Sequence, residues 1–297
     1  MPLKDFLRQN NIQFSLSCDL KEISTFKIGG RADIICYPSS VEQVSSIVRF
    51  CNENNCKYIT LGRCSNVVFP DEGIKTLIIK TDKIDHLQKN GDEFTFGAGV
   101  MLARASKFSI DEGYEGMEFA YGIPGSVGGA VYMNAGAYGG EMSQVVTKTE
   151  YVDDIGNINY VTGDMHDFAY RHSFFSDKNY IITSTVICLK KGDKNKSEAL
   201  VAELQHARKT KQPLEYPSAG SVFKRPEGYF AGKLIQDCNL KGYSIGGAAV
   251  SEKHSGFIIN CGEATCNDVK QLVEHIKSEV HRNFGVTLEC ELKFITD

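Results

Sequence analysis

The chain reads as an α+β protein of two domains, and three observations lead there. Its first two-thirds is built of short β-branched and aromatic runs parted by glycines, amphipathic helical stretches interrupt those runs, and a hydrophilic break near residue 190 introduces longer helices between short strands. A length of 297 residues suits two ordinary domains, which run about 100–200 residues each.

In order along the chain, the opening MPLKDFLRQNNIQF is polar and amphipathic, without an apolar core of signal-peptide length. Residues 41–54 follow Ser39 and Ser40 as caps and place Val41, Val44, Ile47, Val48 and Cys51 on one helical face. A shorter helix is expected over 103–113, ended by Gly113. Residues 58–61, 76–79, 94–96 and 180–186 are strand-like. The break KKGDKNK at 190–196 sets the boundary between domains 1–195 and 196–297. Beyond it, helices are expected at 197–211, 230–238 and 266–284, with strands at 247–250, 256–260 and 288–295.

Composition excludes more than it selects. Hydrophobic residues are 42% and charged residues 24%, which leaves room for a core and excludes disorder. A net charge of −4 gives no reason to expect nucleic acid or an anionic membrane as partner, and no run of about 18 apolar residues is present. The chain is therefore expected in the cytoplasm. Its ten cysteines are scattered, several inside apolar strands, and read as reduced thiols. The closest pairs, Cys51/Cys56 and Cys261/Cys266, lack zinc-site spacing, so no metal is expected.

Two glycine-rich loops follow strand-like runs. The first, Gly62, Arg63, Cys64, Ser65 and Asn66, can present successive backbone N–H groups as a concave anion site, although any tight turn uses similar residues. The second is denser: Gly122, Ile123, Pro124, Gly125, Ser126, Gly128 and Gly129 form a backbone almost free of side-chain bulk, followed by Tyr132 and a further glycine cluster around Tyr138. Such density implies close approach of backbone to a flat or phosphorylated ligand, since a pair of turns needs only one or two glycines. Neither loop matches a GxGxxG between strand and helix or a P-loop.

The run GIPGSVGGAVYMNAGAYGGE, the 62–66 loop, AYRHS at 169–173, SAGSVFKRP at 218–226 and LECEL at 288–292 together resemble the UDP-N-acetylenolpyruvoylglucosamine reductase family, in order over roughly residues 20–296. The resemblance implies a FAD-binding domain of the vanillyl-alcohol oxidase (PCMH) type and a smaller α+β domain that binds a UDP-sugar. It also implies noncovalent FAD, NADPH as co-substrate, no obligatory protein partner, and reduction of an enolpyruvyl ether in peptidoglycan precursor synthesis. Flavin would then supply the hydride chemistry, and the protein must position the alkene, stabilise charge and deliver one proton.

The resemblance assigns three catalytic positions. Arg171 matches the cation beside the substrate carboxylate, where a permanently charged planar fork suits developing negative charge. Glu291 matches a second stabiliser that donates a hydrogen bond if protonated, with Glu289 as rival by strand alternation. Ser221 matches the proton donor. Gly62 to Asn66, Gly122 to Gly129 and Tyr132 are expected around FAD. Tyr138, Lys211, Arg225 and His254 are expected at the diphosphate or sugar.

The chain departs from the family pattern at three points. Arg225 stands where many relatives carry Asn, Arg63-Cys64 replaces a smaller pair, and the stretch between Arg171 and Ser221 lacks the extra substrate-covering loop with its closing tyrosine. Two other readings remain: a FAD-dependent alcohol oxidase or dehydrogenase, and a non-catalytic UDP-sugar binding protein.

Overall fold

A computed structural model describes all 297 residues. It bears out the α+β class: helices and mostly short strands alternate along the whole chain. Contacts group the chain into two compact units that are discontinuous in sequence. The first comprises residues 1–16, 34–63 and 76–206, and the second 17–33, 64–75 and 207–297.

This division differs from the single cut expected at 195/196. KKGDKNK is a two-residue strand, Lys190–Lys191, running into the exposed first turn of the helix Lys194–Lys211, and that helix continues unbroken past residue 206. The hydrophilic run therefore marks a solvated helix start and not an interruption of structure.

In the first unit Leu77–Lys80 runs parallel between Tyr58–Leu61 and residues 34–37 of the strand Arg31–Tyr37. The helix Val41–Glu53 covers it, its Ser40 hydroxyl accepting from the Gln43 N–H, and Val44, Ile47, Val48 and Cys51 are fully buried against Cys36 and Ile79. The expected stripe is thus the packed one. A five-stranded antiparallel sheet, ordered Ile158–Thr162, Val146–Val152, Ile181–Cys188, Glu93–Gly97, Leu87–Asn90, builds a second core with the helices Leu102–Asp111 and Val127–Met133.

The second unit pairs Ser218–Ser221, Phe257–Asn260, Ala248–Val250 and Ser244–Ile245 in one sheet. The helix Cys266–Phe284 has the bounds expected from its apolar spacing, and Val269, Leu272, Val273, Ile276 and Val280 fill the core with Phe26, Ile28 and Val68. A capping box of Thr265 and Asp268 starts it, and Gly285 in the left-handed region ends it. The strand expected over 288–295 is cut to Lys293–Phe294, which runs parallel to Val67–Val68, plus an isolated bridge from Cys290 to Phe223. No helix is long and apolar enough to cross a membrane.

Candidate functional site

The first glycine loop leaves the carboxyl end of Tyr58–Leu61 in a parallel array, the end at which open parallel sheets bind ligands. The second is laid along residues 98–102: Gly128 N–H donates to Ala98 O at 2.9 Å, Val127 N–H to Val100 O at 2.8 Å and Leu102 N–H to Gly125 O at 3.0 Å. The loops meet at Ser126, because a Cβ on Gly62 would stand 2.6 Å from the Ser126 Oγ. That Oγ accepts from the Gly129 N–H and caps the helix Val127–Met133. Ser65 is half-buried, and no residue of the chain engages its amide or hydroxyl by a hydrogen bond.

Not every glycine of the second segment faces a ligand. A Cβ on Gly128 would meet the Ala98 Cβ at 2.8 Å, one on Gly140 would meet the Phe119 ring at 2.6 Å, and one on Gly136 would meet the Gly140 carbonyl at 2.7 Å. Helix packing and a tight hairpin explain these three. Tyr138, with φ +53, and Gly139 form that hairpin's tip, which leaves the Tyr138 ring exposed. Ile123 and Tyr132 pack on the core, and burial pushes the Tyr132 hydroxyl pKa above its ordinary value. Pro124 is exposed.

Arg171 belongs to the first unit. It sits with φ +56 in a turn closed by Ala169 and His172, whose N–H and C=O groups bond reciprocally at 3.2 and 3.1 Å. Two side chains tie that turn to the end of the helix Val127–Met133. Asn134 Nδ2 donates to Ala169 O at 3.1 Å, and the fully buried Ser173 hydroxyl donates to Tyr132 O at 2.8 Å. The half-buried Arg171 guanidinium lies 5.0 Å from the Tyr170 ring centroid.

Ser221 and Glu291 belong to the second unit, which brings their segments together. Gly220, with φ +81, allows a register shift that exposes Ser221, while Val222 on the next position is buried. The Glu291 N–H donates to Val222 O at 2.7 Å, and the Lys224 N–H to Glu289 O at 2.9 Å. The loop residue Asn66 is tied to the Glu291 segment: its Nδ2 donates to Glu291 O at 3.1 Å, and its carbonyl accepts from the Lys293 N–H at 3.0 Å. Thr25 adds a further tie, its Oγ1 donating to Ser218 O at 2.9 Å. The two glutamates differ in surroundings. The Glu289 side chain is 70% exposed and ion-paired to Lys224, whereas Glu291 is half-buried.

Of the expected substrate anchors, Lys211 is exposed at the end of its helix. Arg225 folds onto its own loop, its guanidinium 4.0 Å over the Phe230 ring and its Nε donating to Tyr229 O at 3.3 Å. His254 Nδ1 accepts from the Gly256 N–H at 3.1 Å. Burial, helped by Lys241, pushes its imidazole below the ordinary range. Near neutral pH it therefore offers an uncharged Nε2–H donor.

Sequence reasoning missed Lys80, Asp82, Asn134, Ser173 and Thr25. Only Asn134 carried a signal, as an Asn placed to end a helix in the left-handed region. No group of His, Cys, Asp and Glu is placed to hold a metal ion.

A glycine loop at the carboxyl end of a parallel array, meeting at Ser126 a second glycine loop laid along residues 98–102, defines a nucleotide-cofactor-binding domain of the flavoprotein class. A FAD binding domain family matches residues 32–161, and the C-terminal domain family of UDP-N-acetylenolpyruvoylglucosamine reductase matches residues 212–295. The UDP-N-acetylenolpyruvoylglucosamine reductase of Clostridium perfringens is 44% identical over 293 residues, covering 99% of this chain and 96% of its own, and that of Caldicellulosiruptor bescii is 44% identical over 300 residues, covering 99% and 95%. The crystal structure of the Thermus caldophilus reductase superposes with a TM-score of 0.81 at 31% identity, over 96% of this chain and 99% of that one. A berberine bridge enzyme variant, 13% identical with a TM-score of 0.50, shares the fold alone.

The chain belongs to the UDP-N-acetylenolpyruvoylglucosamine reductase family. Its residues fit FAD: half-buried Ser65, in the loop at the carboxyl end of Tyr58–Leu61, keeps its amide and hydroxyl unengaged by the chain.

Proposed function

We propose that the chain reduces the enolpyruvyl ether UDP-N-acetyl-3-O-(1-carboxyvinyl)-glucosamine to UDP-N-acetylmuramate with NADPH, in the cytoplasmic synthesis of peptidoglycan precursors. The observation that carries this reading is the backbone bond from the Glu291 N–H to the carbonyl of Val222, the neighbour of Ser221, together with the amide bond from Asn66 of the first glycine loop to the Glu291 carbonyl. The match of residues 212–295 to the reductase's C-terminal domain favours this reading over a flavin oxidase acting on alcohols.

FAD, when bound through residues 62–66, the loop 122–129 with Gly128 serving its packing on Ala98, and Tyr132, supplies hydride transfer. The chain's own groups supply the remainder. Ser221 Oγ, exposed and free of any intramolecular hydrogen bond, delivers the proton to the carbon that becomes the lactyl stereocentre. Arg171 sets its guanidinium against the substrate carboxylate, and Glu291 places its carboxyl beside the charge that develops there. Tyr138, Lys211, Arg225 and His254 anchor the sugar nucleotide, Lys211 and Arg225 as cations and His254 as a neutral donor.

The purified protein is expected to be yellow, to lose its flavin absorbance on addition of NADPH and to regain it on addition of the enolpyruvyl sugar nucleotide. Bleaching by an alcohol instead of NADPH would favour the oxidase reading. Substrate binding without reoxidation would leave a binding protein.

A further inference from the structure

The first glycine loop is held from behind by a buried lysine. Lys80 ends the strand Leu77–Lys80, is 3% exposed, and stands in register with Leu61. Its Nζ donates to Gly62 O at 2.9 Å and to Asp82 Oδ2 at 2.6 Å. Asp82 Oδ1 is buried with no hydrogen-bond partner, and the Arg63 guanidinium lies 3.7 Å from Oδ2. Two cations thus surround one carboxylate at the base of the loop.

Burying an ammonium group is costly, and holding a strand end does not require one. Its position suggests what it does. In a planar trans peptide the carbonyl and the following N–H point to opposite sides. A donor that fixes the Gly62 carbonyl from the sheet side therefore turns the Arg63 N–H away from the sheet. Two cations against one carboxylate leave a net positive charge at the loop, which favours an anion there.

We propose that Lys80 is a positioning residue for a diphosphate-bearing cofactor: through the Gly62 carbonyl it aims the Arg63 amide, and with Arg63 it outweighs Asp82 electrostatically. The proposal rests on the FAD reading.

FAD affinity of the apoprotein, measured by flavin fluorescence quenching, tests it. Lys80→Met should raise the FAD dissociation constant about tenfold or more, near 1.4 kcal/mol, and Lys80→Arg should recover most of the loss. A merely structural role makes Lys80→Met behave like Glu118→Gln, which disturbs a buried carboxylate bonded to Ser197 and to the Gly116 N–H in the same unit. That control should lower the apoprotein unfolding midpoint and leave FAD affinity within twofold.

A folded Lys80→Met protein that binds FAD within twofold of wild type overturns the proposal. Hydrogen exchange on the unaltered protein decides the matter if Lys80→Met does not fold: FAD must slow exchange of the Arg63 amide, and unchanged exchange refutes it. Wild-type apoprotein that takes up no FAD refutes the cofactor reading instead, and leaves Lys80 a structural ion pair.

Discussion

The side-chain amide of Asn134 donates to the carbonyl of Ala169 at 3.1 Å, while its Oδ1 accepts from the Ser143 N–H at 2.9 Å. Asn134 is buried and left-handed at the end of the helix Val127–Met133, so one residue both ends the glycine-loop helix and fixes the turn that carries Arg171. Asn134→Ala loses both bonds and puts a residue with no local compensation at φ +42. It should cost about 2–4 kcal/mol by urea denaturation. Asn134→Gly, which relieves the backbone but not the lost bonds, should cost less; equal losses would show that the two hydrogen bonds dominate.

The glutamates of the LECEL run should separate by substitution. Glu289→Gln removes one exposed ion pair and is expected to change stability by no more than about 0.5 kcal/mol. Glu291→Gln is expected to lower turnover by about 100-fold or more with the stability little altered. Steady-state kinetics on both variants, and an equal loss in each, would return Glu289 to consideration.

Ser221→Ala should leave the bleaching of flavin by NADPH at the wild-type rate and slow recovery of absorbance with the enolpyruvyl substrate by about 100-fold or more. Stopped-flow absorbance resolves the two half-reactions. Unchanged recovery removes Ser221 from proton delivery.

His166 gives the fold a pH dependence. It is 1% exposed; its Nδ1–H donates to Gly163 O and its Nε2 accepts from the Thr149 hydroxyl, both at 2.9 Å. Burial, partly opposed by the Gly163 bond, pushes its pKa below the ordinary 6.5. The unfolded chain therefore takes up the proton at a higher pH than the folded one. The stability owed to the neutral ring is complete above about 6.5 and falls as the pH drops through the folded value. His254 has the same direction. Urea midpoints should decline from pH 7 to 5.5, and His166→Asn should flatten that decline; an identical slope would exclude His166 as its source.

Thiol labelling provides an independent check on the fold. Cys188 and Cys261 are exposed, whereas Cys36 and Cys51 are buried beside one another, and burial pushes the Cys51 thiol up to about 12. An aromatic disulfide reagent at pH 8 should modify Cys188 and Cys261 quickly and reach Cys36 and Cys51 only after denaturation. Rapid native labelling of Cys51 would contradict the packing of the helix Val41–Glu53.

What the sequence made legible follows from how local each determinant is. The helix Cys266–Phe284 was readable to the residue because its stripe is long, its capping pair adjacent and its final glycine unambiguous. The helix Val127–Met133 was hidden: it has seven residues, two of them adjacent glycines in its first turn, so its formation depends on Ser126 and on packing against Ala98 rather than on propensity. Glycine density overstated the ligand-facing surface for the same reason, since Gly128, Gly136 and Gly140 meet other parts of the chain. Lys80 was invisible, because nothing in a run such as TLIIK tells which lysine is buried. The joining of Asn66 to Glu291 spans 225 positions and leaves no periodic trace.

The parallel pairing of Val67–Val68 with Lys293–Phe294 governs how the chain can mature during synthesis. Phe26, Ile28 and Val68 leave the ribosome early, yet their buried neighbours Leu272, Ile276, Leu288 and Leu292 follow more than two hundred residues later. At about 5–20 residues per second, that apolar surface waits on the order of ten seconds or more without its partner, a window in which chaperone shielding matters.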